Sequence, residues 1–133
     1  MAFDDRFRLS SHAVITNADG HVLLLQATYG ECDWGLPGGA LEPAETIHEA
    51  LLRECREELG QEVVIDYLSG VYYHSAYDSQ AFIFRARLLS ESIQLSHEHS
   101  AWRYVAPAAL SPVQRQRVQD CLEFDGRVVS ARF

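Results

Sequence analysis

The sequence predicts an α/β fold: a mixed sheet with helices on both faces. Two observations predict it. Runs of apolar and β-branched residues recur at strand length along the chain, and two segments of helical periodicity, 46–59 and 112–123, are interleaved with them. A third, the lack of any internal repeat, linker or low-complexity run in 133 residues, leads us to expect one domain spanning 1–133.

Met1–Arg6 reads as a short polar lead. Phe7–Thr16 reads as a strand, Asn17-Ala18-Asp19-Gly20 as a turn and His21–Ala27 as a mostly buried strand, which together predict a hairpin. Thr28–Asp33 is expected to be a loop, and Pro37-Gly38-Gly39 marks a sharp one that cannot be helical. From Thr46 to Leu59 there is no Gly, no Pro and little β-branching. Thr46 with Glu49 predicts a capping box, and Gly60 stands where a C-terminal cap belongs. Glu62–Leu68 alternates as a strand, and Val71–Ser75 with Ala81–Leu89 predicts a second hairpin turning near Asp78-Ser79. Trp102–Val105 is a short strand and Pro107–Leu110 a turn of helix. A final helix runs from about Pro112 to Glu123, with Val113, Val118, Cys121 and Leu122 inward. Phe124–Phe133 has no decisive pattern.

Winding the first helix at 100° per residue separates two faces. Ile47, Leu51, Cys55 and Leu59 form the core face, with Leu52 near its edge. Glu54, Glu57 and Glu58 fall on a neighbouring arc. Like charges three and four residues apart repel, and the last turns of a helix disfavour negative charge. A helix selected only for stability would carry lysines there. A merely solvated acidic face is the simpler account of such charges. Crowding at the wrong helix end, beside a glycine turn, argues instead for three hard oxygen ligands and a divalent cation such as magnesium.

Gly39, Glu45, Arg53, Glu54, Glu57, Glu58 and Gly60 match, residue for residue, the signature of the Nudix hydrolases, and Trp34-Gly35-Leu36-Pro37-Gly38-Gly39 looks like the family's approach to it. Cys55 fills one apolar position of the signature acceptably. Gln61 departs from another, which weakens helix-exit packing without touching chemistry. The resemblance implies an α/β/α sandwich with a mixed sheet between helices. It also implies hydrolysis of a nucleoside diphosphate linked to another group, by attack of water on phosphorus. By the same resemblance, Glu54, Glu57 and Glu58 hold Mg2+ (or Mn2+) with the Gly39 carbonyl as an added ligand, and Arg53 with Glu45 orients helix and loop. A further carboxylate usually comes from a distant loop; Glu98 is the candidate, as metal ligand or general base. His97 and His99 beside it invite a zinc reading, but such a site needs one more fixed ligand.

The substrate is harder to read. Ser96-His97-Glu98-His99-Ser100-Ala101-Trp102-Arg103-Tyr104 is similar to the corresponding stretch of dinucleoside tetraphosphate hydrolases, in which a tyrosine beyond the signature supports the substrate. Tyr77 stands in that region. Leu36-Pro37-Gly38-Gly39 is closer to the MutT-like nucleoside triphosphate hydrolases, and the proline that ADP-ribose-type enzymes carry past the signature is missing. Trp34 is a candidate to stack a base, with a structural anchor beside the glycines as the simpler reading.

A net charge of −8 argues against a nucleic-acid polymer or an anionic membrane as partner. A small nucleotide remains compatible if cations neutralise both site and substrate. Cys32, Cys55 and Cys121 read as reduced thiols, and neither a signal peptide nor a long apolar run is evident, so cytoplasm is the expected location. The expected function is a magnesium-dependent Nudix pyrophosphohydrolase of a small nucleotide. A dinucleoside polyphosphate hydrolase is the first alternative and a non-catalytic nucleotide-sensing module the second. The intact carboxylate set speaks against the latter.

Overall fold

The computed structural model describes residues 3–133; of the expected polar lead, Met1 and Ala2 lie outside the described residues. The strands are β1 (Arg8–Val14), β2 (Val22–Ala27), β3 (Trp34–Gly35), β4 (Gly38–Ala40), β5 (Val63–His74), β6 (Ser79–Leu88), β7 (His99–Val105) and β8 (Val129–Arg132). Helix α1 is Ile47–Leu59 and α2 is Pro112–Leu122, with short 3-10 turns at Ser75–Tyr77 and Pro107–Ala109. A five-stranded mixed sheet has the order β4-β1-β6-β5-β8, and a three-stranded sheet the order β3-β2-β7. β1 runs parallel to β6 and β5 parallel to β8; the remaining pairs are antiparallel.

Alternation along the strands builds two cores. Ala13, Ile15, Leu23, Leu25, Phe84 and Ala86 pack with Leu51, Cys55 and Leu59 of α1. Val14, Val22, Leu24, Tyr72 and Ile83 pack with Val118 and Cys121 of α2. Neighbouring residues of β1, β2 and β6 thus point to opposite cores, as the period of two requires of strands buried on both faces. The expected α/β/α sandwich with a mixed sheet is the observed architecture.

Helix α1 has both predicted caps. Glu49 N–H donates to Thr46 Oγ1 (3.1 Å), Thr46 N–H donates to Glu49 Oε1 (3.0 Å), and Gly60 closes the helix in the left-handed region at φ 70°. The buried Ser11 of β1 donates to the Ile47 carbonyl (2.8 Å), which seats the first turn of α1 on the sheet.

Several expectations need correction. The residues of the first predicted hairpin do form its turn, with Asn17 Oδ1 accepting from Asp19 and His21 N–H. Beyond the bridge between Thr16 and Val22, however, the strands part into different sheets. β1 instead pairs with β6 and β4, partners distant in sequence, because its two buried faces need cover that a local hairpin does not supply. Glu62–Leu68 and Val71–Ser75 are one strand, β5, which passes the expected break through bulges at Ile65/Tyr67 and Leu68/Gly70. The glycine loop contains two short strands, β3 and β4. β7 begins earlier than expected, at His99. Leu122 is not an inner residue but 39 % exposed, since α2 docks only through Val118 and Cys121 at that end. The undecided C-terminal segment supplies β8 on the sheet edge. Where the signature has an apolar residue, the Gln61 amide donates to the Ser90 and Ser92 carbonyls and accepts from Leu89 and Ser90 N–H, clipping that loop to the end of α1.

Candidate active site

The edge strand β4 carries the two glycines past the acidic arc of α1. Gly38 N–H donates to Glu58 Oε2 (2.9 Å). A Cβ placed on Gly39 would lie 2.7 Å from Glu54 Cδ, so the carboxylate occupies the space a side chain would need. Only a bare backbone can approach the carboxylates this closely. Glu58 is 4 % exposed, far from the solvated position its charge suggests. Burial pushes its carboxyl up to about 8; the Gly38 N–H opposes the shift, while nearby Glu54 and Glu98 add to it. Burial likewise raises Glu54, against the pull of Arg53.

Arg53 ties this arc to the loop after β4. Its Nε donates to Glu45 Oε2 (2.7 Å), and Nη2 donates to Glu45 Oε1 (2.9 Å) and the Ala40 carbonyl (3.1 Å). Its Nη1 donates to Glu54 (3.0 Å) and Glu57 (3.4 Å). The bidentate fork fixes a plane and a direction, which a lysine would not do. The expected Arg53–Glu45 pair is therefore formed, and Glu45 is held below the usual carboxylate range by the Arg53 hydrogen bonds.

The predicted ligands are only partly gathered. Glu54 and Glu58 converge on the Gly38–Gly39 backbone, while Glu57 is 57 % exposed and turned to Arg53. Among the described residues no three His, Cys, Asp or Glu side chains stand close enough to hold a metal ion. The zinc reading of His97, Glu98 and His99 accordingly finds no formed cluster. The donor chemistry does fit a hard divalent cation: two carboxyls pressed together under burial are repelled by their own charge, and a cation relieves that repulsion. Glu98 is exposed on the loop before β7, near enough to act on the Glu58 carboxyl. Its backbone is pinned by Thr28, whose N–H donates to the Glu98 carbonyl (2.9 Å) and whose hydroxyl donates to the His97 carbonyl (2.9 Å).

Beside the glycines lies a cleft of about 520 Å³. Trp34, His12, Tyr77, Gln114 and Arg117 are among its lining residues, so the two predicted substrate-binding side chains share one cavity. Arg103 sits 4.0 Å over the Trp34 ring, a cation–π contact that anchors the indole while it still lines the cleft. Tyr77 is 69 % exposed. A smaller pocket of about 290 Å³ is lined by His12, Trp34, Gly38, Glu58 and His99, and shares His12 and Trp34 with the cleft.

Sequence reasoning missed His12, Gln114 and Arg117. His12 had a signal: Ser10 and His12 are polar residues on the strand face that Val14 continues into the core. Gln114 and Arg117 had none, because a polar residue on an amphipathic helix reads as solvated. Burial, followed by the positive charge of Arg117, holds His12 down to about 4, so it is neutral near pH 7. A depressed histidine adds stability above its unfolded pKa that is lost as pH falls toward the folded value. Melting temperature should therefore drop between pH 6.5 and 4 more steeply in the parent than in His12→Asn; parallel curves would show that His12 is not held neutral.

A family model of the NUDIX domain matches residues 6–123. The chain belongs to the NUDIX family. It carries a Nudix hydrolase domain of the MutT-like kind, a domain whose enzymes hydrolyse phosphoric anhydrides. It is 32 % identical over 103 residues to a MutT-like protein of Streptomyces ambofaciens, covering 77 % of this chain and 66 % of that protein. It is 44 % identical over 55 residues to the nucleoside triphosphatase NudI of Klebsiella pneumoniae, covering 38 % of this chain and 39 % of that one. The chain thus spans less than two thirds of the length of either relative. The crystal structure of an ADP-ribose pyrophosphatase from Streptococcus suis superposes with a TM-score of 0.78 at 20 % identity, over 96 % of this chain and 100 % of that one, which shows the shared fold. Among the described residues no helix is long and apolar enough to cross a membrane.

Proposed function

We propose that this Nudix domain is a divalent-metal-dependent pyrophosphohydrolase of a small nucleotide, a nucleoside triphosphate or a relative of one, cleaved by attack of water on phosphorus. One observation carries the reading: the cleft lined by Trp34 and Tyr77 shares His12 and Trp34 with the pocket where Gly38 and Glu58 meet. A nucleotide with its base in the cleft sets its phosphates against the glycines and the carboxylates. A bound Mg2+ or Mn2+ would neutralise phosphate charge and activate water. Glu54, Glu57 and Glu58, with the Gly39 carbonyl and Glu98, are the groups to hold it. Arg53 and Glu45 keep the arc and the loop in register, and Glu98 is the candidate to take a proton from the attacking water. The nucleoside triphosphatase named among the relatives supports this substrate class. Free thiols at Cys32, Cys55 and Cys121 support a cytoplasmic setting.

The test is a magnesium-containing screen over nucleoside triphosphates, dinucleoside polyphosphates and nucleotide sugars, with the phosphate products identified. Release from a triphosphate, abolished by chelator and restored by magnesium, is expected. Binding without release in every case would favour a nucleotide sensor.

A second reading, dinucleoside polyphosphate hydrolysis, is favoured by the exposure of Tyr77 at the cleft, where a second base would find a flat partner. Stacking contributes about 1–3 kcal/mol per base. Under this reading Tyr77→Ala should raise KM for diadenosine tetraphosphate roughly tenfold to a hundredfold with kcat much less changed, since stacking acts in ground and transition states alike. Nucleoside triphosphate kinetics should stay nearly constant. Equal effects on both substrates would remove the support for the second base.

A further inference from the structure

Four buried side-chain polar atoms have no hydrogen-bond partner among the described residues: His74 Nδ1, His99 Nδ1, Gln114 Oε1 and Arg117 Nε. His74, Gln114 and Arg117 all line the 520 Å³ cleft. Folded proteins leave few such groups unpaired, because a buried orphan forfeits its hydration for nothing. Three on the wall of one cavity point to a ligand that completes them.

Gln114 and Arg117 are three residues apart on α2 and so share a helix face. The Arg117 guanidinium carbon lies 5.8 Å from the Tyr72 ring centroid and 5.6 Å from that of Phe133. These rings hold it in place, and no ion pair among the described residues involves it. In a chain of net charge −8 that leaves an unneutralised, fixed donor beside an unmatched acceptor.

We infer that Gln114 and Arg117 read the polar edge of the substrate's base and set the base preference of the enzyme. The inference rests on the nucleotide reading of the cleft given above. Phosphate is the competing ligand for an arginine. It offers acceptors only, however, and would leave Gln114 Oε1 unmatched. The pockets that reach the glycines are lined by Gly38 and Glu58, or by Gly39 and Arg8, and by neither Gln114 nor Arg117. A nucleobase edge sets an acceptor next to an N–H donor, which is the complement of the pair: the acceptor faces Arg117 Nε–H and the donor faces Gln114 Oε1. Discrimination of this kind is strong because the wrong base leaves buried polar groups unpaired.

The experiment compares kcat/KM for GTP, ATP, CTP and UTP, with ribose 5-triphosphate as a base-free control, in the parent, Gln114→Leu and Arg117→Lys. The parent should spread by at least about tenfold across the four bases. Each variant should narrow that spread to about threefold, with the base-free control within twofold of the parent. An unchanged spread, or a control that falls as far as the nucleotides, overturns the assignment; the latter would place the pair on the phosphates. Fluorescence titration with free nucleosides runs in parallel and needs no turnover. Base-dependent Kd values that converge in Gln114→Leu support the assignment even if no nucleotide is hydrolysed, an outcome that would sink the proposed function alone. Kd values indifferent to the substitution count against the inference whether or not hydrolysis is seen.

Discussion

Glu57→Gln is expected to lower turnover about a thousandfold or more while leaving the protein folded. The side chain is 57 % exposed, and its partner in the structure is Arg53, at 3.4 Å. An exposed pair of this kind contributes at most about 1 kcal/mol. Arg53 keeps its stronger bonds to Glu45 and the Ala40 carbonyl. The substitution keeps the shape of the side chain and removes the repulsion between Glu54 and Glu57 along the helix. Stability should thus change by less than about 1 kcal/mol in either direction. What is lost is a ligand charge. Metal stabilisation of a phosphoryl transition state amounts to several kcal/mol, and each 1.36 kcal/mol is about a factor of ten in rate. Steady-state kinetics in magnesium, with a thermal melt of the same sample, separates the two quantities. Turnover within tenfold of the parent would falsify the place of Glu57 in the ligand set.

Gly38→Ala should damage the fold severely, with a loss of about 3 kcal/mol or more. Two independent observations agree. The residue sits at φ 139°, which side chains avoid, and a Cβ there would lie 2.1 Å from the Ser11 carbonyl oxygen and 2.7 Å from His12 Cα. These obstacles are backbone of a central strand, which cannot swing aside as a side chain does. Relief requires β4 to leave β1, which would break the pairing of Gly38 with His12 and Gly39 with Ser11 and withdraw the N–H that Glu58 accepts from. Urea unfolding measures the effect directly. A midpoint close to the parent's would mean that β4 shifts freely, and the tight approach of glycines to carboxylates would then not be the feature that organises the site.

The contrast between these two residues shows what local pattern carries. Glu57 belongs to the segment that resembles the family signature, and Gly38 to the approach to it. The helix around Glu57 was legible to its caps, because Thr46, Glu49 and Gly60 act within a few residues of one another. The role of Gly38 was not, because the atoms that exclude a side chain belong to β1, far away in sequence. Hairpin chemistry misled for the same reason. Asn17 and Gly20 do shape a turn, yet β1 and β2 separate, since strands buried on both faces are placed by what covers them.

Read alone, the chain yields the two helices, most strands, the sandwich class, the Arg53–Glu45 link and the acidic arc of α1. All of these follow from short-range periodicity, capping and spacing, or from the signature that the same residues resemble. Folding decides matters that no spacing encodes. It buries Glu58 while leaving Glu57 in solvent, although the two are adjacent in the chain. It brings His12 of β1, Trp34 of β3, Tyr77 of the turn before β6 and Arg117 of α2 around one cleft. It also leaves Gln114 Oε1 and Arg117 Nε without a hydrogen-bond partner among the described residues, on side chains that line that cleft. Burial and orphaned polar atoms depend on which surfaces meet, and that is settled by long-range strand pairing and by the docking of α2.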